Sequence, residues 1–291
     1  MNGFLVIDKP SGMTSHDVVA KIRKRLGTKR VGHAGTLDPM ATGVLVIGVG
    51  NATKLMQYIV DGAKSYEATI ALGAATHTDD AEGDITFTAQ GQVLSDITDF
   101  QIREYLSKSV GTIMQKPSSV SAIKVDGKAA HQRVREGEDV DLPAREVTIS
   151  KIDIHSIERN EKQILVRVSV DCSSGTYIRA IARDLGQILE VGGHLTALRR
   201  TFVSPFALSE SAGIEEAELI DTAIGIARVL PTRVLDFSEM NEISFGRSVA
   251  ANPDERIYAA LSPASTFAAL LENKDSGGTL AAAPKLVAVQ E

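Results

Sequence analysis

The stretch that most limits what this chain can become is residues 31–50, where a polar, glycine-studded loop runs straight into a continuous apolar segment. Residues 44–49 have no polar face, so they predict a strand covered on both sides. Just before them, Gly32, Gly35, Gly43 and Pro39 surround a single acid, Asp38. Backbone of that composition must bend sharply or admit a close neighbour. Lys21, Arg23, Lys24, Arg25, Lys29 and Arg30 precede it, six cations within ten residues, a density suited to a phosphate-facing surface. On the charges alone a second reading stays open, a solvated helix face whose cations favour the helix C-terminus.

Around this stretch the patterns alternate between strand and helix. Residues 4–7 predict a short strand, residues 8–12 a turn, and residues 15–26 a helix capped by Thr14 or Ser15, lined by Val18, Val19, Ile22 and Leu26, and stopped by Gly27. In residues 65–72, Tyr66, Ala68, Ile70 and Leu72 share one face and Glu67 and Thr69 the other, a half-buried strand with Tyr66 on its apolar side. Residues 76–84 lack the alternating acids and terminal glutamate of a calcium loop, so an exposed acidic turn is expected. A helix capped at Thr98 or Asp99 should reach Val110. Residues 119–125 read as a strand, Asp126-Gly127 as a turn and residues 129–136 as a helix. A long hairpin pairs residues 147–157 with 163–170.

Residues 171–179 lead into a helix with Ile178, Ile181, Leu185, Ile188 and Leu189 inward and Gly192-Gly193 as terminator. Arg179 sits in its first turn, where a cation opposes the helix dipole, so an anionic partner is expected for it. Past residue 210 the chain turns acidic and alanine-rich. Residues 214–226 look helical, and the short apolar runs 257–261, 267–271 and 286–289, with a turn at 275–278, predict a small β-containing unit. The order implies an α+β fold: a mixed, mainly antiparallel sheet in residues 1–210 and a small C-terminal domain in 211–291.

Composition narrows the class. The single cysteine, Cys172, excludes an intramolecular disulfide and a cysteine-rich zinc site, and reads as a small buried hydrophobe at a strand end. No run approaches the roughly 18 apolar residues of a membrane helix, and residues 1–10 do not resemble a signal peptide, so a cytoplasmic protein is expected. The net charge of −6 hides a gradient: residues 1–60 hold eight Lys/Arg against three Asp/Glu, residues 61–208 seventeen against twenty-one, and residues 209–291 six against thirteen. Only the N-terminal part looks polyanion-facing.

Five blocks, in order, resemble a known family. They are Gly32-His33-Ala34-Gly35-Thr36-Leu37-Asp38-Pro39 and the residues after it to Leu45; Asp8-Lys9-Pro10-Ser11-Gly12-Met13-Thr14-Ser15; Lys64-Ser65-Tyr66-Glu67-Ala68 with Gly73 and residues 76–83; Ser173-Ser174-Gly175-Thr176-Tyr177-Ile178-Arg179; and His194-Leu195-Thr196-Ala197-Leu198-Arg199-Arg200. Together they resemble the bacterial tRNA pseudouridine-55 synthases, the TruB-type pseudouridine synthase family, over roughly residues 3–207, and five ordered blocks carry little of the false-positive risk of one. The resemblance implies a pseudouridine synthase catalytic domain without cofactor or metal, isomerising one uridine in the T-loop of tRNA. By the same resemblance Asp38 is the catalytic nucleophile, Arg179 its ion-pair partner and Tyr66 the aromatic beside the target base, while His33, Tyr177 and Leu198 contact substrate. It further implies a T-stem-loop partner, a monomer without an obligatory protein partner, and a PUA-type RNA-binding unit after residue 210. One block departs: where the family carries paired prolines and a tyrosine, this chain has Pro117-Ser118-Ser119-Val120-Ser121-Ala122, and the usual Arg-Ala-Tyr is Ala129-Ala130-His131.

The chemistry fits these residue types. Moving uracil from an N- to a C-glycosidic bond requires holding a cleaved base without losing it, and a carboxylate, ionised at neutral pH, is a nucleophile that needs no activating base. Arg179 would keep Asp38 charged and aimed; attack at ribose C1′ and at base C6 are both open. Extruding the uridine costs a few kcal/mol, which stacking on Tyr66 and filling of the gap by His33 would offset. The basic stretch would neutralise phosphates. Two rivals differ in kind. An RNA-binding module or tRNA folding chaperone would need neither Asp38 nor Arg179. A nucleotide cradle would need a P-loop or GxGxxG, and Gly48-Val49-Gly50-Asn51-Ala52-Thr53 is neither.

Overall fold

The apolar run after Asp38 becomes the spine of the molecule. In the computed structural model, which describes residues 1–121, 123–125, 127–138, 140–276 and 278–288, Thr42–Val49 (β3) lies buried inside a ten-stranded mixed sheet. In chain order the other strands that matter are Gly3–Lys9 (β1), Val31–His33 (β2), Lys64–Leu72 (β4), Gly111–Gln115 (β5), Arg145–Arg159 (β6), Ile164–Cys172 (β7), Gly193–Val203 (β8), Phe206–Ala207 (β9) and Ile220–Asp221 (β10). They run β10-β1-β3-β8-β4-β7-β6-β5, with β2 on β3 and β9 on β8. Every pairing is antiparallel except β3 with β8, which sets Thr42 against Arg199 and Gly43 against Arg200. On its other side β8 sets Arg200 against Tyr66 of β4. This crossover brings the Asp38 loop, Tyr66 and Arg200 together.

Local chemistry explains the flanking helices. Helix α1 (Ser15–Leu26) begins with a reciprocal capping box between Thr14 and Asp17 and ends at Gly27, which takes the left-handed conformation at φ 62°. Its Val18, Val19 and Ile22 join the main core. Helix α2 (Ile178–Ile188) lays Ile178, Ile181, Ala182 and Leu185 on the sheet. Ile188, expected inward, is 64% exposed, while Leu185 before it and Leu189 after it pack on the core.

Three further expectations change. Residues 214–226 are not one helix: β10 pairs with β1, Phe4 opposite Ile220, and only Thr222–Ala227 (α3) is helical, because the edge of β1 claims the backbone that the helix would have used. Residues 119–125 are not one strand. Only Lys124–Val125 pairs, with Lys128–Ala129, and the preceding backbone turns its Val120 carbonyl toward Arg179 instead. Strands β5 and β8 had no counterpart in the sequence pattern. Asp126 of the expected turn, Ala122 of the departing block, Gly277 of the turn at 275–278 and Val289 of the last apolar run lie outside the described residues, as do the side chains of Ala129 and His131.

A C-terminal β domain follows α3. Its five strands, Thr232–Val234, Ile257–Leu261, Phe267–Ser276, Thr279–Val287 and Val249–Ala250, form a sheet in that spatial order around Tyr258, Leu271 and Ile243. It joins the main sheet through Phe4, Phe206, Ile226, Ala259 and Leu270. Residues 212–227 belong by hydrogen bonding to the first sheet: Ala212 donates to the Val6 carbonyl and accepts from the Asp8 amide. We therefore propose that the boundary between the units falls between Ala227 and Thr232. No helix among the described residues is long and apolar enough to cross a membrane.

Candidate active site

The loop between β2 and β3 is pinned from several sides. Ser15 Oγ accepts from the Leu37 amide at 2.9 Å and donates to the Leu37 carbonyl at 3.1 Å. The Gly12 amide donates to the Pro39 carbonyl at 2.8 Å. Lys9, fully buried, donates from Nζ to the carbonyls of Pro39, Pro10 and Met13 at 3.1, 3.0 and 2.6 Å. Gly43 lets β3 leave the loop beside β8: at φ 98° a Cβ there would stand 2.1 Å from the Arg200 carbonyl oxygen, so only glycine fits. These constraints fix Asp38 at the mouth of β3, beside a cavity of about 290 Å³.

Arg179 reaches Asp38 across 141 residues of sequence. Its Nε lies 3.0 Å from Asp38 Oδ2 and its Nη2 donates to Oδ1 at 3.2 Å, a two-pronged pair. The remaining donors are also used: Nη1 to the Thr78 carbonyl at 2.7 Å and Nη2 to the Val120 carbonyl at 2.9 Å, with Asp80 Oδ2 3.3 Å from Nη1. The start of α2 is itself clamped, since the Gln115 amide group exchanges two hydrogen bonds with the Tyr177 backbone at 2.8 and 3.1 Å. The cation in an unfavourable first turn thus has its anion.

The departing block still serves this geometry. Val120 contributes a main-chain carbonyl, which any residue supplies, and Ser118 is buried with its hydroxyl near the Thr78 carbonyl. Residues 76–84, expected as an exposed turn, carry the main correction at the site. Asp79 and Asp80 are 9% and 3% exposed. Arg179 and Arg183 make that burial tolerable, Arg183 Nη1 lying 3.4 Å from Asp79 Oδ2.

Electrostatics around Asp38 pull both ways. Burial pushes its carboxyl above the ordinary carboxylate range, Asp80 adds to that, and Arg179 and Lys9 work against it. Tyr66 is buried, which raises its hydroxyl pKa, and with Leu198, Tyr177 and Arg179 it lines the cavity. His33 is not among the lining residues. It stands edge-on to His16 at 5.4 Å, Nδ1 buried without a partner, and burial takes its pKa down to about 4, so it is neutral at physiological pH.

The basic stretch divides. Arg25 donates to the carbonyls of Ile214 and Ala217 at 2.7 and 2.6 Å and ties α1 to the later chain; Arg23 donates to the Val31 carbonyl at 3.0 Å. Lys21, Lys24, Lys29 and Arg30 stay exposed. Cys172 is buried as expected, its thiol pushed up to about 11 by burial. Among the described residues no cluster of histidine, cysteine and acids could hold a metal ion.

Sequence reasoning passed over Asp80, Gln115, Lys64 and Arg200. Asp80, Lys64 and Arg200 were within reach of it, because all three stand in the matching blocks.

Known proteins resemble this chain along most of its length. Residues 23–178 match the TruB family pseudouridylate synthase (N terminal domain), and residues 179–228 the tRNA pseudouridylate synthase B C-terminal domain. A protein of Corynebacterium diphtheriae named tRNA pseudouridine synthase B is 50% identical over 287 residues, covering 96% of this chain and 94% of its own. One of the same name from Paenarthrobacter aurescens is 48% identical over 291 residues, covering 95% and 93%. Among solved structures, one of an H/ACA RNP bound to a substrate RNA containing 2′-deoxyuridine superposes with a TM-score of 0.68 at 22% identity, over 98% of this chain and 84% of that one, which is a likeness of fold.

Proposed function

We propose that this chain, which belongs to the TruB family of pseudouridylate synthases and so isomerises uridine to pseudouridine in tRNA, carries out that reaction with Asp38 as its nucleophile and Arg179 as the group that holds it. The observation that carries the assignment is the two-pronged pair at the floor of an open cavity. A carboxylate that is two-thirds enclosed, yet a third accessible on the cavity side, is poised for a ligand rather than spent on structure. Arg179 offsets the burial that would protonate it and orients both oxygens. Tyr66 and Leu198 offer apolar surface for a flipped base, and Tyr177 forms the opposite lip.

The target in this reading is uridine 55 in the T-loop, with the T-stem-loop crossing the exposed Lys21, Lys24, Lys29 and Arg30. His33 neighbours the loop and would meet the RNA rather than the base in the cavity. The protein acts as a monomer in the cytoplasm. A folding chaperone would have no use for a buried Asp38–Arg179 pair opening onto a cavity.

The test is Asp38→Asn, assayed by release of hydrogen from the base C5 position of T-loop uridine. Isomerisation should fall by more than about 10⁴-fold, a loss typical of removing a covalent catalyst, while RNA binding stays within a few-fold. Turnover surviving in the variant would sink the assignment.

A further inference from the structure

We propose that Lys64 and Arg200 form a cationic floor that holds the uracil as an anion after its bond to the ribose has broken. The inference rests on the reading above and extends it to two residues that reading does not use. Both side chains line the same cavity as Asp38, Tyr66 and Arg179. Both are hidden, at 7% and 1% exposure. Among the described residues, neither forms an ion pair with a carboxylate. Lys64 Nζ donates to the carbonyls of Val60 and Gly62, each at 2.7 Å. Arg200 donates from Nε to the Val44 carbonyl at 2.8 Å and from Nη2 to the Gly35 carbonyl at 3.1 Å. Carbonyls satisfy some of the donors without neutralising them, and the nearest carboxylates, Asp38 for Arg200 and Asp61 for Lys64, act from a distance rather than in contact. A buried cation without a counter-ion is costly, so it persists where a negative charge arrives later.

Gly35 shows where that charge would sit. Its backbone takes φ 84°, and a Cβ built on it would lie 3.6 Å from Arg200 Nη1 and 3.9 Å from Lys64 Cε. The open space above Gly35 therefore borders both cations, three residues from Asp38. Burial, reinforced by Arg200, brings the Lys64 ammonium down to about 8, so it still carries its charge at neutral pH. The depth of the two cations, on strand positions shared with Tyr66, suits the flat base rather than the phosphates, which stay with the ribose nearer the solvent.

The reaction supplies the charge. When the Asp38 carboxylate bonds to C1′, the N1–C1′ bond breaks, and its electron pair leaves with N1 and spreads over O2 and O4. After the base turns, C5 bonds to C1′ and releases the Asp38 carboxylate, the C5 proton departs and N1 takes one up, so the isomerisation balances without a co-reactant. Fixed cations beside the oxygens would stabilise the detached base and keep it from escaping.

Lys64→Gln and Arg200→Gln remove charge but keep donors for the carbonyls. Each is compared with the unaltered protein on T-stem-loop RNA carrying uridine or 5-fluorouridine at the target, the fluorine making the base a better anion. Single-turnover loss of the N-linked nucleoside and RNA affinity are measured together. The expected result is a roughly 100-fold slower reaction on uridine, affinity within a few-fold, and a deficit reduced to roughly tenfold on 5-fluorouridine. Equal deficits on both substrates, or a loss of affinity matching the loss of rate, would overturn the proposal. If Arg200→Gln does not fold by thermal unfolding, Lys64→Gln decides alone by the same criteria. An unaltered protein inactive on both RNAs would instead refute the reaction assigned above.

Discussion

The two walls of the cavity hide their arginines almost equally, 5% exposed for Arg179 and 1% for Arg200, yet treat them oppositely. Arg179 faces two carboxylates, Asp38 and Asp80, besides two carbonyls. Arg200 donates to carbonyls, lies beside the Tyr66 hydroxyl and touches no carboxylate, although its charge is felt at Asp38. The first wall has its cation fully paired before substrate arrives, so its purpose is to keep one carboxylate ionised and aimed. The second has cations with no carboxylate in contact among the described residues, available to charge that develops during the reaction. Burial and charge by themselves do not distinguish these uses; the identity of the acceptors does.

This contrast can be broken or sharpened by substitution. Asp80→Asn should have the largest effect on this wall, lowering stability by about 3 kcal/mol, because the buried Arg179 loses one of its two carboxylate partners. It also removes a like charge that pushes Asp38 upward. Activity that needs the Asp38 carboxylate is lost as pH falls through its raised pKa, so the acid limb of kcat/KM should lie above the ordinary value of about 3.9 and move to lower pH in Asp80→Asn. A limb that does not move would show that Asp80 is not felt at Asp38. Lys9→Met should cost less, about 2 kcal/mol by denaturant unfolding, since three carbonyls lose a donor while a buried charge is removed. The smallest effect separates the basic residues: Lys24→Ala should weaken tRNA binding a few-fold and lower its salt slope by about 1, whereas Arg25→Ala should act on stability through the Ile214 and Ala217 carbonyls. Interchangeable behaviour of the two would mean that the exposed cations do not meet phosphates.

Much of this was legible in residue order. The box at Thr14 and Asp17 and the stop at Gly27 are local chemistry, and α1 follows them closely. The glycines around Asp38 announced a close approach, which at Gly43 is the backbone of Arg200. The oddity of Arg179 in a first helical turn announced an anionic partner, and the family resemblance named Asp38 as that partner. Strand β8 was not legible: bulges near Leu195–Ala197 and Arg200–Phe202 break the alternation that would have marked it. Strand β5 is short and exposes Met114, so it carries little apolar signal. Asp80, Gln115, Lys64 and Arg200 matter only through partners far along the chain or across the sheet, and such contacts leave no local pattern.

The central claim is that the guanidinium of Arg179 serves the Asp38 carboxylate rather than the RNA. It is tested most directly by measuring, for Arg179→Ala, the single-turnover rate of pseudouridine formation and the Kd for the T-stem-loop. A rate reduced roughly 10³-fold with Kd changed less than about threefold is the predicted result; rate and affinity falling by the same factor would contradict it.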